Sequence, residues 1–238
     1  MEKKKAVVIG ASSGIGRALA KILAREGFFL GLVGRNEEAL NSLKEEIGEQ
    51  GYVKIIDVSD PDKAISLFKE LIAEIGGLDL AVISSGIGFY NKKLLWEREF
   101  ETFKVNILGF SAMANVAFNH FRESGGGHLV GISSVAAVRG DATAPAYSAS
   151  KAFESNYLEG LSMQARKQKL NITVTDIRPG FVDTPMTKGQ RGMFWVAPVE
   201  KAALQIYRAI KRKKSVAYIT RRWLIVAWLL KILPKRSF

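Results

Sequence analysis

The chain has no cysteine and only two histidines in 238 residues. The first absence excludes disulfides, thiolate catalysis and cysteine-ligated metal. His120 and His128 stand apart with no carboxylate cluster nearby, so both read as structural and no metal site is expected. Acid is missing from one end. After Glu200 there are eleven Lys or Arg and no acid, so residues 1–200 carry only +1 of the total +12. A nucleic-acid binder would spread basic charge over its body, and no nucleic-acid partner is expected. Long apolar runs are scarce too. The opening "MEKKKAVVIG" has too short a run for a signal peptide and passes straight into a strand-like pattern, so a cytoplasmic protein is expected.

What is present is alternation. Short apolar runs at 6–10, 28–34, 52–58, 78–86, 127–134, 171–180 and 215–219 read as buried strands. Amphipathic stretches at 14–27, 36–48, 61–75, 97–122, 147–168 and 198–213 read as helices. The pattern predicts an α/β fold: a doubly wound, Rossmann-like parallel sheet of about seven strands with helices on both faces. It forms a single domain over residues 1–219, followed by a basic, apolar tail at 220–238. Ligands in such sheets bind beyond the carboxyl ends of the strands. Gly10, Gly34, Asp57, Gly86, Ser134 and Gly180 are therefore expected along one edge.

"GASSGIG" (10–16) joins the first strand to the first helix. Gly10 allows a tight turn, Gly14 lets a phosphate approach, and Gly16 lets the helix pack on the sheet. The free N–H groups of that helix suit a pyrophosphate. No Lys-Ser/Thr follows, so this is not a P-loop. The second strand ends "VGRN", with Arg35 where an NAD site commonly has an acid. A guanidinium there favours a 2′-phosphate, hence NADP(H) over NAD(H). In "AYSASKAF" (146–153), Tyr147 and Lys151 share one helix face. An ammonium near a phenol favours phenolate and lowers its pKa.

Together these motifs resemble the short-chain dehydrogenase/reductase family over nearly the full chain. They are the Gly-rich turn with Ile15, "DVSD" from Asp57, "VN" ending at Asn106, "ISS" ending at Ser134, "YSASK" and "RPGFVDT". The resemblance implies hydride transfer between NADPH and a carbonyl or alcohol. Tyr147 would be the acid/base, Lys151 would lower its pKa and bond the nicotinamide ribose, Ser134 would hold the substrate oxygen, and Asn106 would kink its helix and support a proton relay. Asp57 would cap the adenine and Thr184 would lie near the carboxamide. Ser12, Ser13, Gly16, Asn36, Val58, Ser85, Gly86, Asn106, Pro179, Gly180 and Val182 would complete the cofactor contacts. Homo-dimers or homo-tetramers are usual in such families. Two departures stand out. Ile9 replaces the family's Thr, and "ISSG" (83–86) replaces its Asn-Asn-Ala-Gly; the brace between these loops is expected to be rebuilt.

The substrate loop is expected between Phe181 and Pro198, with Met186, Met193, Phe194 and Trp195, facing Phe89 and Tyr90. A pocket so lined suits a hydrophobic or lipidic carbonyl or alcohol. The tail "RRWLIVAWLLKILPKR" (221–236) has eight unbroken apolar residues between basic ones. That is too short to span a bilayer, which needs roughly twenty. It suits either peripheral contact with a membrane, Trp223 and Trp228 at headgroup depth, or packing over the pocket or an oligomer interface. A partial likeness to the keto-reductase half of decaprenylphosphoryl-ribose epimerase adds a lipid-linked keto-sugar as an alternative substrate. The competing functional readings are a non-catalytic dinucleotide sensor and a membrane-surface adaptor. A sensor need not keep Asn106, Ser134, Tyr147 and Lys151 together.

Overall fold

The computed structural model describes residues 3–188 and 192–234. Seven parallel strands form one sheet in the order β3-β2-β1-β4-β5-β6-β7. They are β1 Lys5–Ile9, β2 Phe29–Gly34, β3 Gly51–Ile55, β4 Leu80–Ile83, β5 Gly127–Ile132, β6 Ile172–Pro179 and β7 Val216–Ile219. The helices between them are α1 Gly14–Arg25, α2 Glu37–Ile47, α3 Pro61–Glu74, α4 Trp96–Phe103, α5 Phe110–Glu123, α6 Pro145–Lys167 and α7 Val199–Lys211, with α8 Trp223–Ile232 after β7.

Alternate residues of a strand face opposite sides of a sheet. In β1, Val7 and Ile9 join the core that includes Phe68 of α3, Phe110 of α5 and Leu158 of α6. Ala6 and Val8 join the opposite core, with Leu19 of α1, Leu40 of α2 and Ile206 of α7. Both faces are covered, which is why the strands read as continuous apolar runs rather than alternating ones. The helix ends follow local chemistry. The Asn36 side chain accepts from the Ala39 amide at the start of α2, and Pro61 opens α3 behind an Asp60 cap. His128 is buried on β5, 2.8 Å from Thr175 Oγ1, and burial, with Lys213 nearby, pulls its pKa down to about 4.

Strand order reverses at β1, whose neighbours are β2 and β4. That reversal opens a crevice at the carboxyl ends of β1 and β4. The structure corrects one long element. The helix expected over 97–122 is interrupted by a π-helical turn at Lys104–Gly109. Gly109 at its end lets the Val58 backbone come close, since a Cβ there would lie 2.3 Å from the Val58 carbonyl oxygen. Such turns inside helices often mark functional sites. Strands β3 and β4 are also shorter than read, which leaves Asp57, Val58, Ser84, Ser85 and Gly86 in loops beyond the sheet edge.

Candidate active site

The turn after β1 requires glycine. Gly10 has φ +91°, and a Cβ there would lie 2.6 Å from the Ser85 amide nitrogen. At Gly16 a Cβ would stand 2.1 Å from the Gly10 carbonyl oxygen. The loops after β1 and β4 thus meet through backbone, and the Ser84 amide donates to the Ile9 carbonyl at 2.8 Å. Ser13 caps α1 without a side-chain hydrogen bond, and the first turn of α1 holds no acid. Its N–H groups are left for an anion.

A cleft of about 300 Å³ runs along the strand ends. Gly10, Ser12, Ser13, Gly14, Ile15, Arg35, Asp57, Val58, Ser85, Gly86, Ser134, Tyr147, Lys151, Pro179, Gly180, Val182 and Thr184 all line it. Three residues assigned to the cofactor do not. Gly16 lies under the turn, Asn36 is spent as the α2 cap, and Asn106 is fully buried behind the wall. Arg35 Nη1 sits 3.8 Å from Asp57 Oδ2, both side chains about half exposed at the cleft. The cleft fits a dinucleotide. It has bare glycine backbone at a helix N-terminus, a guanidinium at the end of β2, and a buried Ser85 Oγ with no hydrogen-bond partner among the described residues.

Asn106 sits in the π-helical turn. Its Oδ1 accepts from the Ile87 amide at 2.9 Å, and its Nδ2 donates to the Ile87 carbonyl at 2.8 Å and to Ser150 Oγ at 2.9 Å. It ties the loop after β4 to α6. Lys151 Nζ lies 5.8 Å from the centre of the Tyr147 ring. It donates to the Ile132 carbonyl at 3.1 Å and to both carboxylate oxygens of Glu154 at 2.9 Å. Burial pulls the Lys151 pKa down, but Glu154, Tyr147 and Asp176 more than offset this and hold it raised, so it stays an ammonium. Burial pushes the Glu154 carboxyl up to about 7, against the pull of Lys151. Sequence reading missed Glu154. The available signal was its i,i+3 spacing from Lys151 on one helix.

A second cavity, of about 440 Å³, adjoins the cleft, and Ser134, Tyr147, Gly180, Met186 and Thr187 line both. Phe89, Tyr90, Val135, Phe181, Trp223 and Leu230 make its other walls largely apolar. Phe89, Tyr90 and Met186 were expected there. Met193, Phe194 and Trp195 were expected too, but do not line it. The reason is Trp223. A Cβ on Gly180 would come within 2.0 Å of its ring, and Phe181 meets that ring edge-on with centres 5.4 Å apart. Phe194 packs on Trp223 with ring centres 5.0 Å apart, and Trp195 carries the Arg222 guanidinium 4.9 Å above its ring. Trp223 is only 4% exposed, so it is a pocket wall and not an anchor at headgroup depth. Ser134 Oγ accepts from the Ala136 amide at 3.1 Å, which fixes the serine between cleft and cavity.

A family profile described as short chain dehydrogenase matches residues 4–193. A Myxococcus xanthus protein named an uncharacterized oxidoreductase is 40% identical over 192 residues, covering 79% of this chain and 75% of that one. A Mycobacterium tuberculosis protein, also named an uncharacterized oxidoreductase, is 30% identical over 98% of this chain and 95% of its own length. Among solved structures, ElxO with NADP bound superposes with a TM-score of 0.83 at 19% identity, over 94% of this chain and 100% of that one. Acetoin dehydrogenase YohF from Salmonella typhimurium superposes with a TM-score of 0.78 at 20% identity, over 92% and 94%. At those identities the two structures speak for the fold.

Proposed function

The chain belongs to the short-chain dehydrogenase family, and on that premise we propose that it is an NADPH-dependent reductase of hydrophobic, including lipidic, carbonyl compounds. The observation that carries this reading is that Ser134 and Tyr147 line both the cleft beside the Gly-rich turn and the apolar cavity next to it. NADPH, when bound along the cleft, supplies the hydride. Reduction leaves negative charge on the substrate oxygen. Ser134 donates a hydrogen bond to that oxygen, and such preorganised donors are a large part of catalysis. Tyr147 gives it the proton. Lys151, held as an ammonium, stabilises the negative charge left on the phenol. Asn106 keeps the loop after β4 against α6, so that Tyr147 and Lys151 hold their positions.

Arg35 carries the cofactor preference. Its partner Asp57 stands 3.8 Å away, far enough for the guanidinium to turn toward a 2′-phosphate. NADPH is expected to bind more tightly than NADH, and Arg35→Asp to weaken NADPH binding roughly ten- to a hundredfold with little effect on NADH. Calorimetric titration of both cofactors into both proteins checks this. Equal affinities in the unmodified protein would sink the preference.

A further inference from the structure

Helix α8 presents an apolar surface to solvent. Of its ten residues only Trp223 and Ala227 are buried. Leu224, Ile225, Trp228 and Ile232 are 56 to 60% exposed. Contiguous exposed apolar surface of this kind marks an interaction site. Next to it a groove of about 1120 Å³ runs between α7, β7 and the start of α8. Lys201, Arg208, Arg212, Lys214, Arg221 and Arg222 line the groove, and no acid does. Leu224 belongs to both features, so they form one continuous face.

We propose that this face docks on an anionic lipid bilayer, with α8 lying in the headgroup–acyl boundary and the cations of the groove meeting lipid phosphates. Among the described residues no helix is long and apolar enough to cross a membrane, so docking is peripheral. Charge complementarity selects the occupant. A second copy placed by a two-fold axis would set this basic face against the same basic face, since both copies use one patch. Lys235 and Arg236, read as part of the tail's lipid contact, lie outside the described residues. The proposal deepens the hydrophobic-substrate reading and rests on it only for its purpose. Trp223 and Leu230 of α8 wall the substrate cavity, so docking brings that cavity to the lipid.

The test is co-sedimentation of the full chain with phosphatidylcholine vesicles with and without phosphatidylglycerol, at low and high salt. Binding is expected only with phosphatidylglycerol, and salt should weaken it. Two exposed-face variants, Ile225→Asp with Trp228→Ser and Arg212→Glu with Arg221→Glu, should each lower partitioning at least about tenfold while NADPH binding and molar mass stay unchanged. No binding to anionic vesicles at low salt overturns the proposal. So does a fall in molar mass in either variant, which would make this face an interface between copies. Turnover of a water-soluble carbonyl, assayed without vesicles, separates the two readings. Vesicle binding without turnover faults the enzymatic reading, and turnover without vesicle binding faults the docking.

Discussion

Tyr147→Phe is expected to lower turnover at least about a hundredfold, the usual worth of a positioned proton donor. The substitution removes one hydroxyl and nothing else from the site. The ring stays packed against Gly88, where a Cβ would come within 2.6 Å of it. Lys151 keeps its bonds to Ile132 and Glu154. Fold and NADPH affinity should therefore match the unmodified protein, by thermal unfolding and by fluorescence titration. Lys151→Ala should harm both turnover and cofactor binding, because the ammonium acts on Tyr147 and lines the cleft. Substantial activity left in Tyr147→Phe would mean that the proton comes from another group.

The second large effect concerns stability. Glu154 is 0% exposed and Lys151 4%, and the two form a bidentate pair at 2.9 Å. Removing one partner leaves the other charge buried and uncompensated, at a cost of about 3–5 kcal/mol. Glu154→Leu is expected to lose that much in denaturant unfolding. What still faces Lys151 is the neutral Ile132 carbonyl, Tyr147 on its own helix and Asp176 on β6. Asp176 is already engaged by Arg178, 2.7 Å away, and by Ser133 and Ser155. It is therefore poorly placed to replace Glu154. Glu154→Gln, which keeps an acceptor oxygen near Nζ, should cost clearly less. A loss under about 1 kcal/mol in Glu154→Leu would show that Lys151 finds another partner or sheds its proton without penalty.

Much of this was legible in the sequence because each signal had a local cause. Buried parallel strands cannot hide their apolar runs, and Gly10 and Gly16 are demanded by backbone contacts that no other residue tolerates. Asn36 caps α2, and that role takes its side chain away from the cofactor contact expected of it. What failed to show depends on long-range packing. The resemblance put a break in the helix at Asn106, but its π-helical form over Lys104–Gly109, with the Val58 backbone crowding Gly109, was not legible. The removal of Phe194 and Trp195 from the cavity needs Trp223, nearly thirty residues on in sequence, to lie on Gly180. Of the tail's two readings, packing over the pocket is what the fold displays. One side walls the pocket through Trp223 and Leu230, and the other is left apolar and exposed. Composition reports that a segment is apolar, not which of its sides finds a partner. The basic groove was visible only as a charge excess after Glu200, because α7, β7 and α8 converge there only in the folded chain.

On the proposed function, Tyr147 and Ser134 complete NADPH-driven reduction of a carbonyl held in the apolar cavity. The most direct measurement is NADPH oxidation, followed by absorbance, against ketones, retinoids, steroids and keto-lipids, in the unmodified protein and in Tyr147→Phe. The expected result is oxidation that requires an apolar carbonyl and is lost in the variant. NADPH that binds tightly but is oxidised by neither protein with any of these carbonyls would contradict it, and would make the chain a dinucleotide-binding sensor instead.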